Sequence, residues 1–269
     1  MEAVVFESVR KIFRHRPALF NWLGRERAGE TIALKDVSFS VKSGEVVALL
    51  GPNGSGKTTS LKLISTVLLP DAGVVYVEGR DASRDALQAR RKVGIAVATE
   101  RSFFPRLSAR ENLEFFAALD EVPRHERKQR ISEVLADSAL EQQADTLVVK
   151  FSSGMYQRLG IARALVKRPS ILLLDEPTRS LDAANTAHFW RTIRALTAEG
   201  TAILLATHNF AETAAVADRL LLLHRGAVLA DRRVRAEESA EQLREFYFRT
   251  TGETDEMSGA HTRVQHREG

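Results

Sequence analysis

The sequence predicts an α/β fold built on a mostly parallel sheet, and three observations lead to that prediction. In the second half of the chain, apolar strand-length runs such as 171–174 and 202–206 alternate with helix-length segments. A glycine-rich loop lies between one apolar run and a helical segment. A block of amphipathic helical pattern separates the two halves of the sheet. We therefore expect parallel strands joined by right-handed crossovers.

Composition narrows the class of protein. The chain has 269 residues, of which 44% are hydrophobic, enough for one large α/β domain with a subdomain. It has no cysteine, which excludes disulfides and thiolate chemistry and fits a reducing compartment. The formal charge of +4 favours an ordinary solvated surface over a nucleic-acid interface. Since we find neither a signal peptide nor a run of roughly 18 apolar residues, we expect a soluble chain.

The first half of the chain is rich in strand pattern, and we expect part of it to form an antiparallel β subdomain. Turns at Ser43-Gly44 and Glu78-Gly79 separate the runs. The strand-like runs cover residues 31–41, 46–50, 74–77 and 93–97.

From residue 109 to about 166 the pattern becomes helical, with amphipathic stretches at 111–119 and 124–135. We predict an α-helical subdomain inserted at about 98–168. Strand pattern returns after Pro169, and its last apolar run covers 219–224.

Three segments follow from these patterns. We assign residues 1–232 to one domain and 233–249 to a C-terminal helix. The polar tail 250–269 has few large apolar side chains, so we expect it to be disordered.

A phosphate-loop motif, G-x-x-x-x-G-K-[ST], directly follows the apolar run 46–50. A strand that ends in glycines and leads into a helix points backbone N–H groups at a phosphate. We expect Lys57 to reach the β- and γ-phosphates of a nucleotide and the Thr58 hydroxyl to ligate Mg²⁺. The predicted nucleotide-binding residues are Gly51, Pro52, Asn53, Gly54, Ser55, Gly56, Lys57, Thr58 and Thr59.

Two adjacent carboxylates, Asp175 and Glu176, follow the run 171–174. They stand at the carboxyl end of a predicted parallel strand, where α/β sheets bind ligands. Asp175 suits Mg²⁺, and Glu176 can polarise an attacking water as a general base. His208 follows the run 203–207 at the same edge and is well placed for a phosphate contact.

Residues 151–165 read F-S-S-G-M-Y-Q-R-L-G-I-A-R-A-L, a loop of small residues that opens an apolar-faced helix. Free N–H groups at its start form a second anion site. The segment resembles the LSGGQ signature of ATP-binding cassette (ABC) proteins, in the variant S-S-G-M followed by Q-R-L. The order of phosphate loop, signature, Asp-Glu strand, Ser180-Leu181-Asp182 and His208 resembles the ABC ATPase across about residues 1–232.

The resemblance implies a P-loop NTPase fold of ABC type, ATP and Mg²⁺ as cofactors, and a head-to-tail pair of subunits, expected to be identical. The loop of one subunit would bind ATP, and the second subunit would cover it. Glu176 and His208 would be catalytic, with His208 on the γ-phosphate. Phe13 would stack on adenine, or would simply pack in the core or on the surface. The covering residues would be Ser152, Ser153, Gly154 and Met155, with Asp182 communicating across the interface.

One position departs from the family pattern. The family usually has a glutamine after the strand equivalent to 93–97, where this chain reads A-T-E-R-S. Glu100 can replace it as a metal or water ligand, and Thr99 is the other candidate. The predicted metal-binding residues are therefore Thr58, Asp175 and Glu100.

The resemblance also implies a subunit that works beside a separate integral membrane permease, at the cytoplasmic face of the membrane. The permease would dock near residues 102–106, where Phe103 and Phe104 either form the docking surface or fill the subdomain core. Segment 14–27 mixes Leu, Phe and Trp with arginines, which suits a partner or membrane interface.

Together with residues 153–156, that segment resembles the ATPases of polysaccharide and lipid-linked glycan exporters. Residues 100–103 are closer to multidrug-type exporters. We expect an exporter subunit with a glycan or glycolipid cargo. The alternatives are a soluble ABC ATPase without a transport role and a weakly hydrolysing regulatory subunit.

Overall fold

The computed structural model describes residues 1–15, 29–97 and 102–253, and its strands form two sheets. The strands are β1 (Glu2–His15), β2 (Gly29–Lys42), β3 (Val46–Leu50), β4 (Ala72–Val77), β5 (Arg80–Asp81), β6 (Val93–Val97), β7 (Ile171–Asp175), β8 (Ala202–Thr207), β9 (Arg219–His224) and β10 (Ala227–Arg233). The α-helices are α1 (Lys57–Ile64), α2 (Ala86–Lys92), α3 (Ala109–Leu119), α4 (Arg124–Asp137), α5 (Ser153–Leu165), α6 (Ala183–Ala198), α7 (Phe210–Val216) and α8 (Ala240–Thr251).

The larger sheet has the order β10-β9-β3-β8-β7-β6, and only its edge strand β10 runs antiparallel to its neighbour. Strands β3, β7 and β8 are buried at every residue. Alternate side chains enter different cores: Leu172 and Leu174 pack on one side, Ile171 and Leu173 on the other. Continuous apolar runs are typical of parallel strands covered on both faces. The predicted mostly parallel α/β sheet is confirmed.

The smaller sheet is antiparallel, with the order β2-β1-β4-β5, as expected for the β subdomain. Its long strand β1 was not among the predicted strands. Val4, Phe6 and Val9 are buried, so the spacing changes from two residues to three. A register shift lies between Phe6 and Val9, and Ser8 there has φ 48°. The irregularity hides the alternation that a strand normally shows.

Helices α3, α4 and α5 form the helical subdomain in the described residues 102–168. Helix α3 starts with a capping box, since Ser108 accepts from the Glu111 N–H and the Glu111 side chain accepts from the Ser108 N–H. Two 3-10 turns, Glu141–Gln143 and Val148–Lys150, connect α4 to α5.

The C-terminal helix starts later than predicted. Residue 233 ends β10, and α8 begins at Ala240 behind a capping box of Ser239 and Gln242. Gly252, with φ 70°, ends it. Residues 254–269, most of the predicted disordered tail, lie outside the described residues. Among the helices of the described ranges, none is long and apolar enough to cross a membrane.

Candidate nucleotide site

The phosphate loop connects β3 to α1, and its glycines are required by close contacts. A Cβ on Gly51 would lie 2.1 Å from the Leu223 carbonyl oxygen. Gly56 has φ 112°, and its Cβ would lie 2.6 Å from the Leu34 side chain. Because backbone packs directly on the loop at Gly51, a side chain fits there only if the loop moves.

Lys57, the first residue of α1, is only 6% exposed. Its Nζ donates to the carbonyl oxygens of Gly51 at 2.6 Å and Pro52 at 3.0 Å. Burial lowers the pKa of the Lys57 ammonium, while the charges of Glu176 and Asp175 act in the opposite direction. The loop therefore holds a cation over its own backbone, where an anionic ligand could compete for it.

A hydroxyl and a carboxylate meet at the end of β7. Thr58 Oγ1 donates to Asp175 Oδ2 at 2.8 Å. Burial raises the pKa of Asp175, and the hydrogen bond from Thr58 opposes that rise. Mg²⁺ is usually held by one or two carboxylates, with phosphates and waters completing the shell, and this oxygen pair fits that chemistry.

Glu176 and His208 are paired, with His208 Nδ1 2.8 Å from Glu176 Oε1. The Glu176 N–H donates to the Ala206 carbonyl at 2.8 Å, which ties the backbone of Glu176 to β8. Glu176 has φ 50°, a strained conformation for a residue with a side chain. The sequence predicted both residues, and the structure brings them into direct contact.

Gln157, which sequence reasoning missed, links α5 to the loop after β7. Its Nε2 donates to the Glu176 carbonyl at 2.8 Å, and its Oε1 accepts from the Ser180 N–H at 3.1 Å. The Q-R-L sequence after S-S-G-M was the available signal, because a polar residue on a buried helix face needs a partner.

These elements surround a cavity of about 450 Å³. The predicted residues that line it are Phe13, Asn53, Gly54, Gly56, Lys57, Thr58, Thr59, Asp175 and Glu176. Gly51, Pro52 and Ser55 are not among its lining residues, and Ser55 is 2% exposed. The lining residues that the sequence did not suggest are Thr31, Ala33, Lys62, Val97 and Arg179. They come from four separate stretches of the chain, so no local motif marks them.

Phe13 lies on β1 opposite Thr31, at the wall of the cavity. The Lys11 ammonium lies 5.9 Å from the centroid of the Phe13 ring. Phe13 is partly buried rather than in the core. Both a stacking and a packing role remain consistent with this position.

The signature segment, residues 152–155, lies apart from this cavity: none of its residues is among the lining residues within the described chain. Ser152 caps α5 by accepting from the Met155 N–H at 3.2 Å, and both Ser152 and Ser153 are exposed. A Cβ on Gly154 would lie 2.7 Å from the Ser180 carbonyl oxygen. The segment therefore packs on the loop after β7 and faces outward.

Asp182 caps α6, accepting from the Asn185 N–H at 2.8 Å. That hydrogen bond is the largest cause that lowers the pKa of the exposed Asp182 carboxyl. Glu100 and Thr99, the two candidates for the missing glutamine, lie outside the described residues.

The two phenylalanines of the predicted docking segment differ. Phe103 is buried and packs edge-on against Phe116 and Tyr156, so of the two predicted alternatives it fills the subdomain core. Phe104 is 43% exposed and packs edge-on against Phe115. Adjacent side chains here point to the core and to the surface.

The loop between the buried strand β3 and a helix, with an acidic pair at the end of β7, two positions along the same sheet, defines a phosphate-loop ATPase of the α/β class. The model of the family described as ABC transporter matches residues 34–179, and the chain belongs to that family. It is an ATP-binding ATPase subunit of this family.

Known proteins that this chain resembles in sequence include the ABC transporter ATP-binding protein NatA of Bacillus subtilis (strain 168). It is 37% identical over 197 residues, which cover 73% of this chain and 80% of NatA. Nod factor export ATP-binding protein I of Burkholderia orbicola (strain AU 1054) is 37% identical over 206 residues, 77% of this chain and 67% of that protein.

A solved structure, described as a dimeric post-hydrolysis state of an ATP-binding cassette bound to ADP and Pi, superposes with a TM-score of 0.75. It is 28% identical and covers 86% of this chain and 99% of its own.

Proposed function

We propose that this chain is the ATP-hydrolysing subunit of an ABC exporter and drives a separate membrane permease. One observation carries the hydrolytic part of the proposal. Lys57, the Thr58–Asp175 pair and the Glu176–His208 pair stand together at one edge of the parallel sheet. Positioned charges at that edge are the main requirement of phosphoryl transfer.

The loop 51–59 would hold the phosphates of ATP through its backbone N–H groups. Lys57 would exchange its carbonyl acceptors for phosphate oxygens, a stronger charge-assisted contact. Thr58 and Asp175 would hold Mg²⁺, which when bound neutralises charge on the phosphates. Phe13 and Thr31 line the outer wall of the cavity, and we assign the adenine to that end.

Glu176 would accept a proton from the attacking water as general base. With a proton on Nδ1, His208 donates to Glu176 Oε1 and fixes the orientation of the carboxylate. The His208 side chain is 65% exposed, so its second ring nitrogen can face the γ-phosphate.

Substitution of Glu176 by Gln tests this assignment. We expect turnover to fall by at least about 100-fold, because the general base is lost, while ATP binding persists. Glu199→Gln, an exposed acid at the end of α6, is the control. Turnover of Glu176→Gln equal to that of the control would remove Glu176 from the mechanism.

We further propose that two copies pair head to tail, with Ser152, Ser153, Gly154 and Met155 of one covering the ATP of the other and Asp182 at the interface. The exposed signature segment, which does not line the cavity of its own chain, supports this arrangement. Backbone N–H groups at the start of a helix such as α5 suit a phosphate presented by another molecule.

Ser152→Arg tests the pairing, since a bulky cation there would block closure of the dimer. We expect ATP-dependent dimerisation in the Glu176→Gln background to disappear in light scattering. Ser132→Arg on the exposed face of α4 is the control. Dimerisation that survives Ser152→Arg would contradict the contact between subunits.

In place of the predicted docking segment 102–106, we propose for the permease a groove of about 750 Å³ between α2, α3 and α4, which that segment does not line. Leu87 and Leu119 stand in it with 60% and 66% of their surfaces exposed. Its charged lining residues are the cations Arg90, Arg91, Arg130, Lys167 and Arg168 and the acids Asp120, Glu121 and Glu126. Four of these cations already pair with Glu121, Asp120 or Glu133, so the two exposed leucines carry the argument. They favour a short cytoplasmic helix that inserts an apolar face between the paired charges.

The pair Leu87→Arg and Leu119→Arg tests this groove. We expect the doubly substituted subunit to lose co-purification with its permease, because both apolar anchors become charged. Leu229→Arg, at an exposed leucine of β10 outside the groove, is the control. Circular dichroism checks that each variant is folded. Co-purification at the control level would refute docking at the groove.

We assign the subunit to the cytoplasmic face of the membrane and its cargo to the glycan or glycolipid class. The relative named for Nod factor export supports an export role. The assignment is tested with the purified complex in vesicles. We expect a lipid-linked oligosaccharide to stimulate ATP turnover more than a cationic drug does, and the reverse order would overturn the cargo assignment.

A further inference from the structure

A buried acid that the proposed reaction does not use lies next to the catalytic pair. Glu212, on α7, is completely buried. Neither of its carboxyl oxygens makes a hydrogen bond of regular geometry within the described residues. Burying an acid without close partners costs free energy, so its place in the fold calls for a reason.

Glu212 stands between the two loops that carry the catalytic pair. The hydroxyls of Thr178 and Thr207 lie beside its carboxyl. Thr207 ends β8 directly before His208, and Thr178 follows Glu176 by two positions. A change in the charge of Glu212 can therefore affect both loops, one through the Thr178 side chain and the other through the Thr207 side chain.

Burial and the surrounding groups shift the pKa of Glu212 in opposite directions. Burial raises the pKa of Glu212 to about 7, with a further rise from the charge of Glu176. The two threonine hydroxyls and His208 lower it.

The other elements packed on α7 bring charged groups that are already paired. From α6, Arg194 bonds the Ala215 carbonyl and Asp218. From α8, Tyr247 contacts Phe210, and its hydroxyl donates to Glu253. Glu212 is thus balanced between its charged and neutral forms near neutral pH.

We propose that Glu212 is a positioning residue for the Glu176–His208 pair, and that Glu212 takes up a proton when a nucleoside triphosphate enters the cavity. The inference rests on the proposed function, because it takes Glu176 and His208 as the hydrolytic pair. The γ-phosphate brings negative charge to the edge where Glu176 lies, and this favours the neutral carboxyl. A solvent proton then binds a Glu212 oxygen, and no other bond changes.

The neutral carboxyl gains an O–H donor that the carboxylate lacks. It can donate to one threonine hydroxyl and accept from the other, and so link the two loops. By linkage, affinity for the triphosphate falls as the pH rises through the pKa of Glu212.

Calorimetric titration at pH 7.5, in two buffers of different ionisation enthalpy, measures the proton uptake directly. The ligands are Mg²⁺ with a non-hydrolysable ATP analogue, and Mg²⁺ with ADP. For the unsubstituted protein we expect uptake of roughly half a proton per ATP analogue and less with ADP. Glu212→Gln, which is neutral and nearly isosteric, should lose that uptake. Glu241→Gln, on the exposed face of α8, should keep it.

The pH dependence of the affinity for the ATP analogue provides a second test of the proton uptake. Between pH 6.5 and 8.5, the affinity for the analogue should fall up to about tenfold more in the unsubstituted protein than in Glu212→Gln. A merely structural role would lower the unfolding temperature and leave proton uptake unchanged. Equal proton uptake in Glu212→Gln and the unsubstituted protein would overturn the proposal.

Should Glu212→Gln fail to fold, Thr178→Val provides the test. Its missing hydroxyl no longer lowers the pKa of Glu212, so the midpoint of the uptake should move to higher pH. An unmoved midpoint would contradict the proposal. All these experiments measure ligand binding. Their outcome is therefore independent of the turnover of Glu176→Gln, which tests the assignment of the general base.

Discussion

The phosphate loop and the signature segment both present backbone N–H groups at a helix start, but the chain supports them differently. The loop follows a strand that is buried at every residue, and Gly51 is pressed against the Leu223 carbonyl. Lys57 is nearly buried and donates to two main-chain oxygens of the loop. In the signature segment, Ser152 is exposed and its hydroxyl accepts a bond from Met155 within its own first turn.

This difference means that the phosphate loop is packed within its own chain, whereas the signature segment is left exposed to solvent. Backbone packed at interior density tolerates little change, because its neighbours cannot move independently. An exposed helix start has water to satisfy its N–H groups. Substitutions should therefore damage folding and binding in the loop, and mainly association in the signature segment.

The largest effect is expected from Gly51→Ala. The new Cβ would meet the Leu223 carbonyl oxygen at 2.1 Å, so the loop or β9 must shift. We expect a stability loss of about 3 kcal/mol or more, with nucleotide binding abolished. Chemical unfolding and nucleotide titration measure both effects.

Gly79→Ala is the matched control for Gly51→Ala. Gly79 has φ 76°, but nothing lies within 4 Å of its added Cβ. Only the left-handed backbone is strained there, at a cost of about 1–2 kcal/mol. If Gly51→Ala were as mild as this control, the loop would be more adaptable than its contacts indicate.

Lys57→Met should have a smaller effect, which we measure on ligand affinity. It removes a charge-assisted phosphate contact of about 1.5–3 kcal/mol, so the affinity for ATP should fall about 10- to 150-fold. Lys62→Met is the control, since Lys62 lines the same cavity from a later turn of α1. Fluorescence titration with a labelled nucleotide gives both affinities. Similar losses for the two variants would mean that general positive charge, rather than the position of Lys57, attracts the phosphates.

The residues of the loop half could be predicted to lie together because their signals are local. A continuous apolar run, a fixed glycine spacing and an acidic pair at a strand end each follow from neighbouring residues. The structure places Lys57, Asp175 and Glu176 around one cavity. The helices α3 and α4 were equally visible from their amphipathic pattern.

The parts that sequence reasoning missed depend on contacts between distant segments. Arg179 lines the cavity and Gln157 bonds the Glu176 carbonyl, yet neither role follows from local spacing. Phe103 and Phe104 are adjacent in sequence and differ in burial only because of where α3 and α5 pack. Strand β1 was hidden by the register shift near Ser8.

The smallest effect is expected from Ser152→Ala, and it separates the two halves most sharply. Ser152 is exposed and makes a capping bond at 3.2 Å, so its loss should cost about 0.5–1 kcal/mol in urea unfolding. Ser108→Ala is the comparison, because Ser108 is 6% exposed and shares a capping box with Glu111. That variant should lose closer to 2 kcal/mol. If Ser152→Ala were the more costly of the two, the signature segment would belong to the framework of its own chain, and the case for a second molecule completing the site would weaken.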